Sequence, residues 1–112
     1  DQIGGPTGAA EIAQASMTIA KTLATEPQKA GIYHFAGTPD TSWADFARTI
    51  SQQAGITCAV TDIPSADYPT PAKRPLNSRL DCTATTSAFG IPRPDWRDSL
   101  TQILTQLDSR KD

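Results

Sequence analysis

The sequence predicts a small α/β fold, a lobe of three to four helices with two or three short strands. Several stretches repeat their apolar residues every three or four positions, as amphipathic helices do. Two shorter runs are either rich in β-forming residues or alternate apolar and polar side chains, as strands do. Two or three short strands are too few for an independent doubly wound sheet, so we expect a lobe that packs against another domain.

The first helix is predicted to begin after Thr7, whose hydroxyl suits an N-cap, and to end near Thr25, before Pro27. Residues 31–36, GIYHFA, are rich in β-forming side chains and are predicted to be a buried strand. His34, the only histidine, lies in that run without a Ser or Cys partner in any recognisable motif. We therefore expect His34 to be a hydrogen-bonded core residue and not a catalytic one.

A second helix is predicted to start at Ser42, which forms a capping box with Asp45, and to stop at Gly55. Its apolar stripe, expected to face the core, comprises Trp43, Phe46, Ala47, Ile50 and Ala54. We expect its tryptophan to pack in the core and not to stack on a ligand. Residues 56–61 alternate apolar and polar side chains, which predicts a half-buried strand with Cys58 pointing inward.

The last third of the sequence predicts two more helices. Residues 77–80 are expected to be a short extended segment, followed by a helix over 82–89 with Asp81 as its cap and Gly90 at its end. Asp95 is expected to cap the final helix. The apolar face of that helix comprises Trp96, Leu100, Ile103, Leu104 and Leu107.

Composition excludes several classes of protein. A hydrophobic content of 38% over 112 residues is low for a self-sufficient core, which fits a lobe that leans on a partner domain. A net charge of −2 argues against nonspecific nucleic-acid binding, which needs a basic face. No apolar run approaches the roughly 20 residues that span a bilayer, and no signal-peptide pattern is present, so we expect a cytoplasmic protein that does not enter the membrane. Cys58 and Cys82 lack the spacing of a zinc site and are expected to be free thiols.

Residues 68–81, YPTPAKRPLNSRLD, form a segment that we call the proline-rich arm. Pro69, Pro71 and Pro75 fix φ and withhold backbone donors, which excludes a helix or a central strand before Leu76. The arm carries cations and amide or hydroxyl donors of the kind that bind phosphate or a sugar nucleotide, namely Lys73, Arg74, Asn77, Ser78 and Arg79. The alternative is a surface loop whose charges are simply solvated.

The arm resembles the "(A/R)RPxNSRLD" signature of dTDP-4-dehydrorhamnose reductases, members of the extended short-chain dehydrogenase/reductase group. Three further blocks resemble this family in the same order. DQIGGPT at the start is similar to its "DQxGxPT" element, GIYHFAG with TSWADFA to its "GxYHxxxxxxTSWxxFA" block, and PDWRDSL to its closing helix. Together the four blocks span almost the whole chain.

The resemblance implies the C-terminal, substrate-binding portion of an NADPH-dependent enzyme that reduces dTDP-4-dehydro-L-rhamnose to dTDP-L-rhamnose. The family's Rossmann half carries a Gly-rich turn and, further on, a Tyr and a Lys separated by three residues. That half is missing from this sequence. Tyr68 and Lys73 do not replace that pair, because they are five positions apart and prolines separate them. We therefore expect no catalytic or cofactor-binding residue in this chain, NADPH bound by the N-terminal domain, and no activity from residues 1–112 alone.

The resemblance also implies which residues meet the substrate. Arg74 is expected to face the nucleotide diphosphate, the alternatives being a surface arginine or an ion pair with Asp67 or Asp81. Asn77, Ser78 and Arg79 either contact the dTDP-sugar or support the loop through hydrogen bonds, while Lys73 is expected to be solvated. Gln2 completes the candidate substrate-binding set.

Other properties of the family transfer less fully. Some members bind Mg²⁺ between subunits through glutamates near the first helix, but Glu11 is displaced by one position, so no metal site is predicted. The partners implied are the dTDP-sugar and the chain's own Rossmann domain, and the resemblance allows a homodimer. Two alternatives remain open: a noncatalytic regulatory subunit related to these reductases, and a small independent binding module.

Overall fold

The computed structural model describes residues 1–109, which form four α-helices, two very short strands and two single-turn 3₁₀ helices. In chain order these are β1 Ile3–Gly4, α1 Ala9–Thr25, a 3₁₀ turn Pro27–Lys29, β2 Thr41–Ser42, α2 Trp43–Ala54, a 3₁₀ turn Ser65–Asp67, α3 Thr83–Phe89 and α4 Trp96–Ser109. The predicted class, a small α/β lobe with four helices and a two-stranded sheet, is confirmed.

The four helices lie close to their predicted positions because their start and stop signals are local. Ser42 Oγ accepts a hydrogen bond from the backbone N–H of Asp45 at 3.1 Å, as an N-cap does. The Asp45 carboxylate pairs with Arg48 at 2.8 Å, so only one half of the predicted capping box is seen. Gly55 and Gly90 end α2 and α3 with φ of 69° and 67°, a conformation that favours glycine.

The small sheet places β1 in the centre. On one side β1 pairs antiparallel with β2, Ile3 opposite Ser42. On the other side the Ile3 N–H donates to the Leu76 carbonyl at 2.8 Å, and the Ser78 N–H donates to the Ile3 carbonyl at 2.9 Å. The proline-rich arm is therefore fastened to the start of the chain, and the start of the chain to the N-terminus of α2.

Both longer predicted strands are wrong. Residues 31–36 and 56–61 form no strand in the described chain, Ile32 is 91% exposed, and His34 and Cys58 are exposed and not buried. A strand needs a hydrogen-bonding neighbour as well as suitable side chains, and no other described segment pairs with these runs. Composition therefore did not reveal that these runs lack a pairing partner among the described residues.

Three finer expectations about side chains are also corrected. Gly8, not Thr7, is the N-cap of α1, and the Thr7 hydroxyl instead donates to the Gly5 carbonyl at 3.0 Å and accepts from the Gly37 N–H at 2.9 Å. Trp43 is exposed, whereas Trp96 is buried as predicted. The apolar face of α4 is buried at Leu100 but largely exposed at Ile103 and Leu107, where no described element covers the helix.

Asp95 accepts from a backbone N–H near the start of α4 as predicted, whereas the N-cap of α3 is Cys82 and not the predicted Asp81. One carboxylate oxygen of Asp81 accepts from both the Thr83 hydroxyl and the Thr83 N–H, which lowers the pKa of Asp81. Asp95 accepts from the guanidinium and the backbone N–H of Arg97, which lowers the pKa of Asp95 in the same way. Both contacts supply acceptors to helix N–H groups that would otherwise lack one.

Residues 36–40 are the point where the separate parts of the fold meet. The Arg93 guanidinium donates to the carbonyls of Ala36 at 3.2 Å and Gly37 at 2.6 Å, and to the Asp40 carboxylate at 2.8 Å. The indole N–H of Trp96 donates to the Pro39 carbonyl at 2.7 Å. The connection between α3 and α4 is thus bound to the segment that leads into β2.

The described chain has an extended shape and a large surface. Its radius of gyration is 16.9 Å, against about 13 Å for a compact domain of this length. Its accessible surface is 8002 Å², roughly 2,000 Å² more than a compact monomer of 11.9 kDa exposes. Large apolar side chains are exposed on it, among them Ile12, Met17, Ile32, Ile56, Leu76, Leu80, Ile103 and Leu107. The surface is that of a lobe with part of its apolar area uncovered.

Replacing Arg93 by Met should lower the free energy of unfolding by about 2 kcal/mol, because it removes charge-assisted hydrogen bonds to two carbonyls and a carboxylate at a mostly buried position. Arg97→Met is the matched control: Arg97 is more exposed and its side chain bonds only to Asp95. Denaturant unfolding compares the two. Equal losses of stability in both variants would contradict a special role for Arg93.

Acid should destabilise the protein in part through Asp95. Since folding lowers the pKa of this carboxyl below its ordinary value of 3.8, its contribution is fully present above that value and is lost as the pH falls through the folded pKa. Asp95→Asn should therefore lower Tm at pH 7 and make the decline of Tm below about pH 5 shallower. Melting curves between pH 7 and pH 2 measure this, and parallel curves for variant and wild type would overturn the prediction.

Candidate functional site

Two adjoining cavities open beside the miniature sheet. The larger, of about 850 Å³, lies between the N-terminus of α2, residues 60–65 and the first half of the proline-rich arm. The smaller, of about 380 Å³, is lined by β1, residues 5–7, β2, Ser78 and the first turn of α2. Gln2, Ser42 and Trp43 line both. The two cavities therefore form one continuous candidate site.

Arg48 holds one wall of the larger cavity in place. Its guanidinium donates to the Val60 carbonyl at 3.0 Å, to the Asp62 carboxylate at 2.6 Å and to Asp45 at 2.8 Å. Asp62 first, and then Asp45, raise the pKa of Arg48. Residues 56–64 contain no helix or strand, so this contact with α2 determines where the wall lies.

Ser65 fixes the next part of the wall to the start of the chain. Its hydroxyl donates to the Asp1 carboxylate at 2.5 Å and accepts from the Gln2 side-chain amide at 3.1 Å. The Ser65 N–H also donates to Asp1, at 2.9 Å. Gln2 thus has a structural duty that its sequence position did not indicate, and it still lines both cavities.

Arg74 lies on the wall of the larger cavity with its charge uncompensated within residues 1–109. No hydrogen bond or ion pair joins it to a described residue, and the alternative pairings with Asp67 and Asp81 do not form. The two carboxylates that line the same cavity are already engaged, Asp62 by Arg48 and Asp1 by Ser65. The cavity therefore presents a free guanidinium, which suits an anionic ligand.

The other candidate residues of the arm make contacts that support the loop. Ser78 donates from its hydroxyl to the Ile3 carbonyl at 3.2 Å and lines the smaller cavity. The Asn77 side-chain oxygen accepts from the Arg79 N–H at 3.1 Å, and the Arg79 guanidinium lies 3.6 Å from the Asp40 carboxylate. The structure thus brings Gln2 together with Arg74 and with Ser78, while Asn77 and Arg79 line neither cavity. A ligand contact by these last two stays a prediction.

Two aromatic residues of the larger cavity were missed as candidates. Trp43 was assigned to the core and Tyr68 was considered only as a catalytic tyrosine, yet they are 68% and 70% exposed and both line this cavity. Trp43 is the first residue of α2, where an apolar stripe extends beyond the elements that could cover it. That terminal position was the available signal, whereas Tyr68, between a 3₁₀ turn and Pro69, belongs to no periodic pattern.

Two glycines near the start of the chain are closely packed. A Cβ on Gly5 would collide with the Gly37 carbonyl, and one on Gly8 with the Glu11 carboxylate, so both positions allow close internal packing. Within residues 1–109 no three His, Cys, Asp or Glu side chains cluster as metal ligands would. No helix in that part of the chain is long and apolar enough to cross a bilayer.

Comparison with known proteins places this chain in a family. The sequence model of the RmlD substrate binding domain matches residues 1–109. A dTDP-4-dehydrorhamnose reductase of Aggregatibacter actinomycetemcomitans is 46% identical over 110 residues, which cover 92% of this chain and 37% of the relative. The corresponding reductase of Sinorhizobium fredii is 40% identical over 113 residues, covering 96% and 38%.

Solved structures agree with the sequence relatives. A dTDP-4-dehydrorhamnose reductase from Clostridium acetobutylicum superposes with a TM-score of 0.83 at 30% identity, over 96% of this chain and 37% of that one. A reductase of the same name from Bacillus anthracis, solved in complex with NADP, gives 0.76 at 26% identity, over 94% and 36%.

This chain spans little more than a third of the length of these relatives and corresponds to their C-terminal part. The resemblance inferred from four sequence blocks is thereby confirmed. The family match extends over all the described residues. The chain belongs to the RmlD substrate binding domain family.

Proposed function

We propose that this chain is the sugar-nucleotide-binding part of a cytoplasmic, NADPH-dependent reductase that converts dTDP-4-dehydro-L-rhamnose to dTDP-L-rhamnose. The relatives from Aggregatibacter actinomycetemcomitans and Sinorhizobium fredii, which match most of the chain, are named dTDP-4-dehydrorhamnose reductase. The observation that carries the proposal is the unpaired Arg74 on the wall of a cavity of about 850 Å³, a volume in the range of small-molecule sites.

The chain's own contribution is to bind and orient the substrate. The Arg74 guanidinium can hold the diphosphate through two parallel N–H···O contacts, which a point charge such as Lys73 cannot do. Gln2 offers an amide group, and Ser78 a hydroxyl group, to the deoxyribose between the base and the diphosphate. Holding the nucleotide in this way fixes the position of the keto carbon, so that remote binding energy contributes to alignment.

The chemistry itself would take place outside this chain. NADPH would supply the hydride from a Rossmann domain outside this chain, as the resemblance to the reductase family implies; the related Bacillus anthracis reductase was solved in complex with NADP. That domain is also the proposed partner for the uncovered apolar surface. Residues 31–36 form no strand within residues 1–109, and their Ile32, at 91% exposure, offers an apolar side chain to such a partner.

Arg74→Ala in the full-length reductase should raise KM for the dTDP-sugar several-fold, up to about tenfold, since it removes one solvent-screened contact with phosphate. Lys73→Ala is the matched control: it removes the neighbouring cation, which lines neither cavity, and should leave KM unchanged. Steady-state kinetics and melting temperatures should be measured on both variants.

An unchanged KM for Arg74→Ala would reject the role of Arg74, and a large fall in its Tm would assign that residue to structure instead. The full-length wild-type protein tests the proposed function itself. If it binds the dTDP-sugar but does not reduce it with NADPH, the proposed activity is rejected and the alternative of a noncatalytic subunit takes its place.

A further inference from the structure

We propose that Trp43 and Tyr68 form the platform that stacks on the nucleobase of the substrate. This inference rests on the proposed function and adds to it a subsite that neither the sequence blocks nor the family match assigns. Both aromatic side chains are about two thirds exposed and both line the larger cavity, together with Arg74. Aromatic faces left in water beside a free cation suit a ligand that has a planar ring and a negative charge.

Trp43 is held in place before any ligand binds. Its ring packs edge to face on Phe46, with centroids 6.3 Å apart, and Phe46 packs in the same way on Trp96 at 5.3 Å. Trp96 is buried and hydrogen-bonded through its indole N–H. The exposed indole is therefore the outer end of a row of three aromatic rings that begins in the core, and little side-chain freedom is lost when a base stacks on it.

Tyr68 is fixed by its backbone and not by packing. Its N–H donates to the Ser65 carbonyl at 3.1 Å, and Ser65 is itself bound to Asp1. Pro69, which follows, disfavours a helical backbone at Tyr68, whose φ of −130° and ψ of 75° lie outside the helical region. The tyrosine is thus carried by a stiff segment on the same wall that presents Arg74.

The charge distribution separates the two ends of the ligand. Within the described chain, Arg74 is the one cationic side chain that lines this cavity, and it is unpaired. A diphosphate is therefore directed to Arg74. Trp43, the first residue of α2, lines the same cavity and also borders the smaller cavity that Gln2 and Ser78 line. A nucleoside diphosphate can therefore place its base on the aromatic residues while its phosphates meet the guanidinium.

The test uses the full-length protein and two probes, dTDP and inorganic pyrophosphate, with dissociation constants measured by calorimetry. Trp43→Ala should weaken dTDP binding about five- to fiftyfold, the range for loss of one stacked base, and leave pyrophosphate binding unchanged. Arg74→Ala should weaken both probes. Tyr68→Ala should also weaken dTDP binding selectively, whereas Tyr68→Phe, which keeps the ring, should bind dTDP as the wild type does.

Each remaining outcome decides the question. If wild-type protein does not bind dTDP, the proposed function fails, independently of the aromatic residues. Unchanged dTDP binding by folded Trp43→Ala and Tyr68→Ala overturns the stacking proposal alone. If Trp43→Ala weakens the binding of dTDP and of pyrophosphate equally and also lowers Tm, the partner domain covers Trp43. That outcome also overturns the stacking proposal. If Trp43→Ala does not fold, Trp43→Leu, which keeps an apolar side chain without a stacking face, replaces it and should show the same selective loss.

Discussion

The fold depends on polar contacts to the backbone of residues 36–40. Few apolar side chains are fully buried in the described chain, so the hydrophobic core is too small to fix the arrangement of the helices alone. Arg93 instead binds two carbonyls of this segment and its Asp40, and the Thr7 hydroxyl accepts from the Gly37 N–H. The same Asp40 also lies near Arg79 of the proline-rich arm. One short segment thereby links the start of the chain, the arm and the α3–α4 connection.

The candidate site inherits its geometry from these links. β1 is only two residues long, yet it joins β2 on one side and the arm on the other, which brings Gln2 and Ser78 to one cavity. β2 leads directly into α2, whose first residue is Trp43 and whose Arg48 holds the opposite wall. Hydrogen bonds join Val60 to α2, Ser65 to Asp1 and Ser78 to β1, so these parts of the site are fixed by the fold itself.

The sequence predicted what is encoded locally. The helices followed from periodicity and from caps such as Ser42 and Gly55, whose effect depends on neighbours within a few residues. The runs 31–36 and 56–61 were wrong as strands because pairing depends on a distant or separate partner. The β1 pairings were not predicted, since two residues carry no alternation.

In the candidate site, the four family blocks pointed to Arg74 and Gln2 as candidates. The contact between Asn77 and Arg79, the contact between Arg79 and Asp40, and the exposure of Trp43 depend on tertiary packing. These features therefore could not be predicted from the sequence.

The exposed surface separates into two chemically different parts. Ile32, Ile56 and Leu80 are aliphatic, exposed and line neither cavity, as expected of area that another domain covers. Trp43 and Tyr68 are aromatic, carry a polar N–H or O–H, and share a cavity with Arg74 and Gln2. A covering domain needs only apolar area, whereas an aromatic face beside a free guanidinium matches the two ends of a nucleotide. The same lobe can therefore dock on a partner through one set of side chains and retain the other for its ligand.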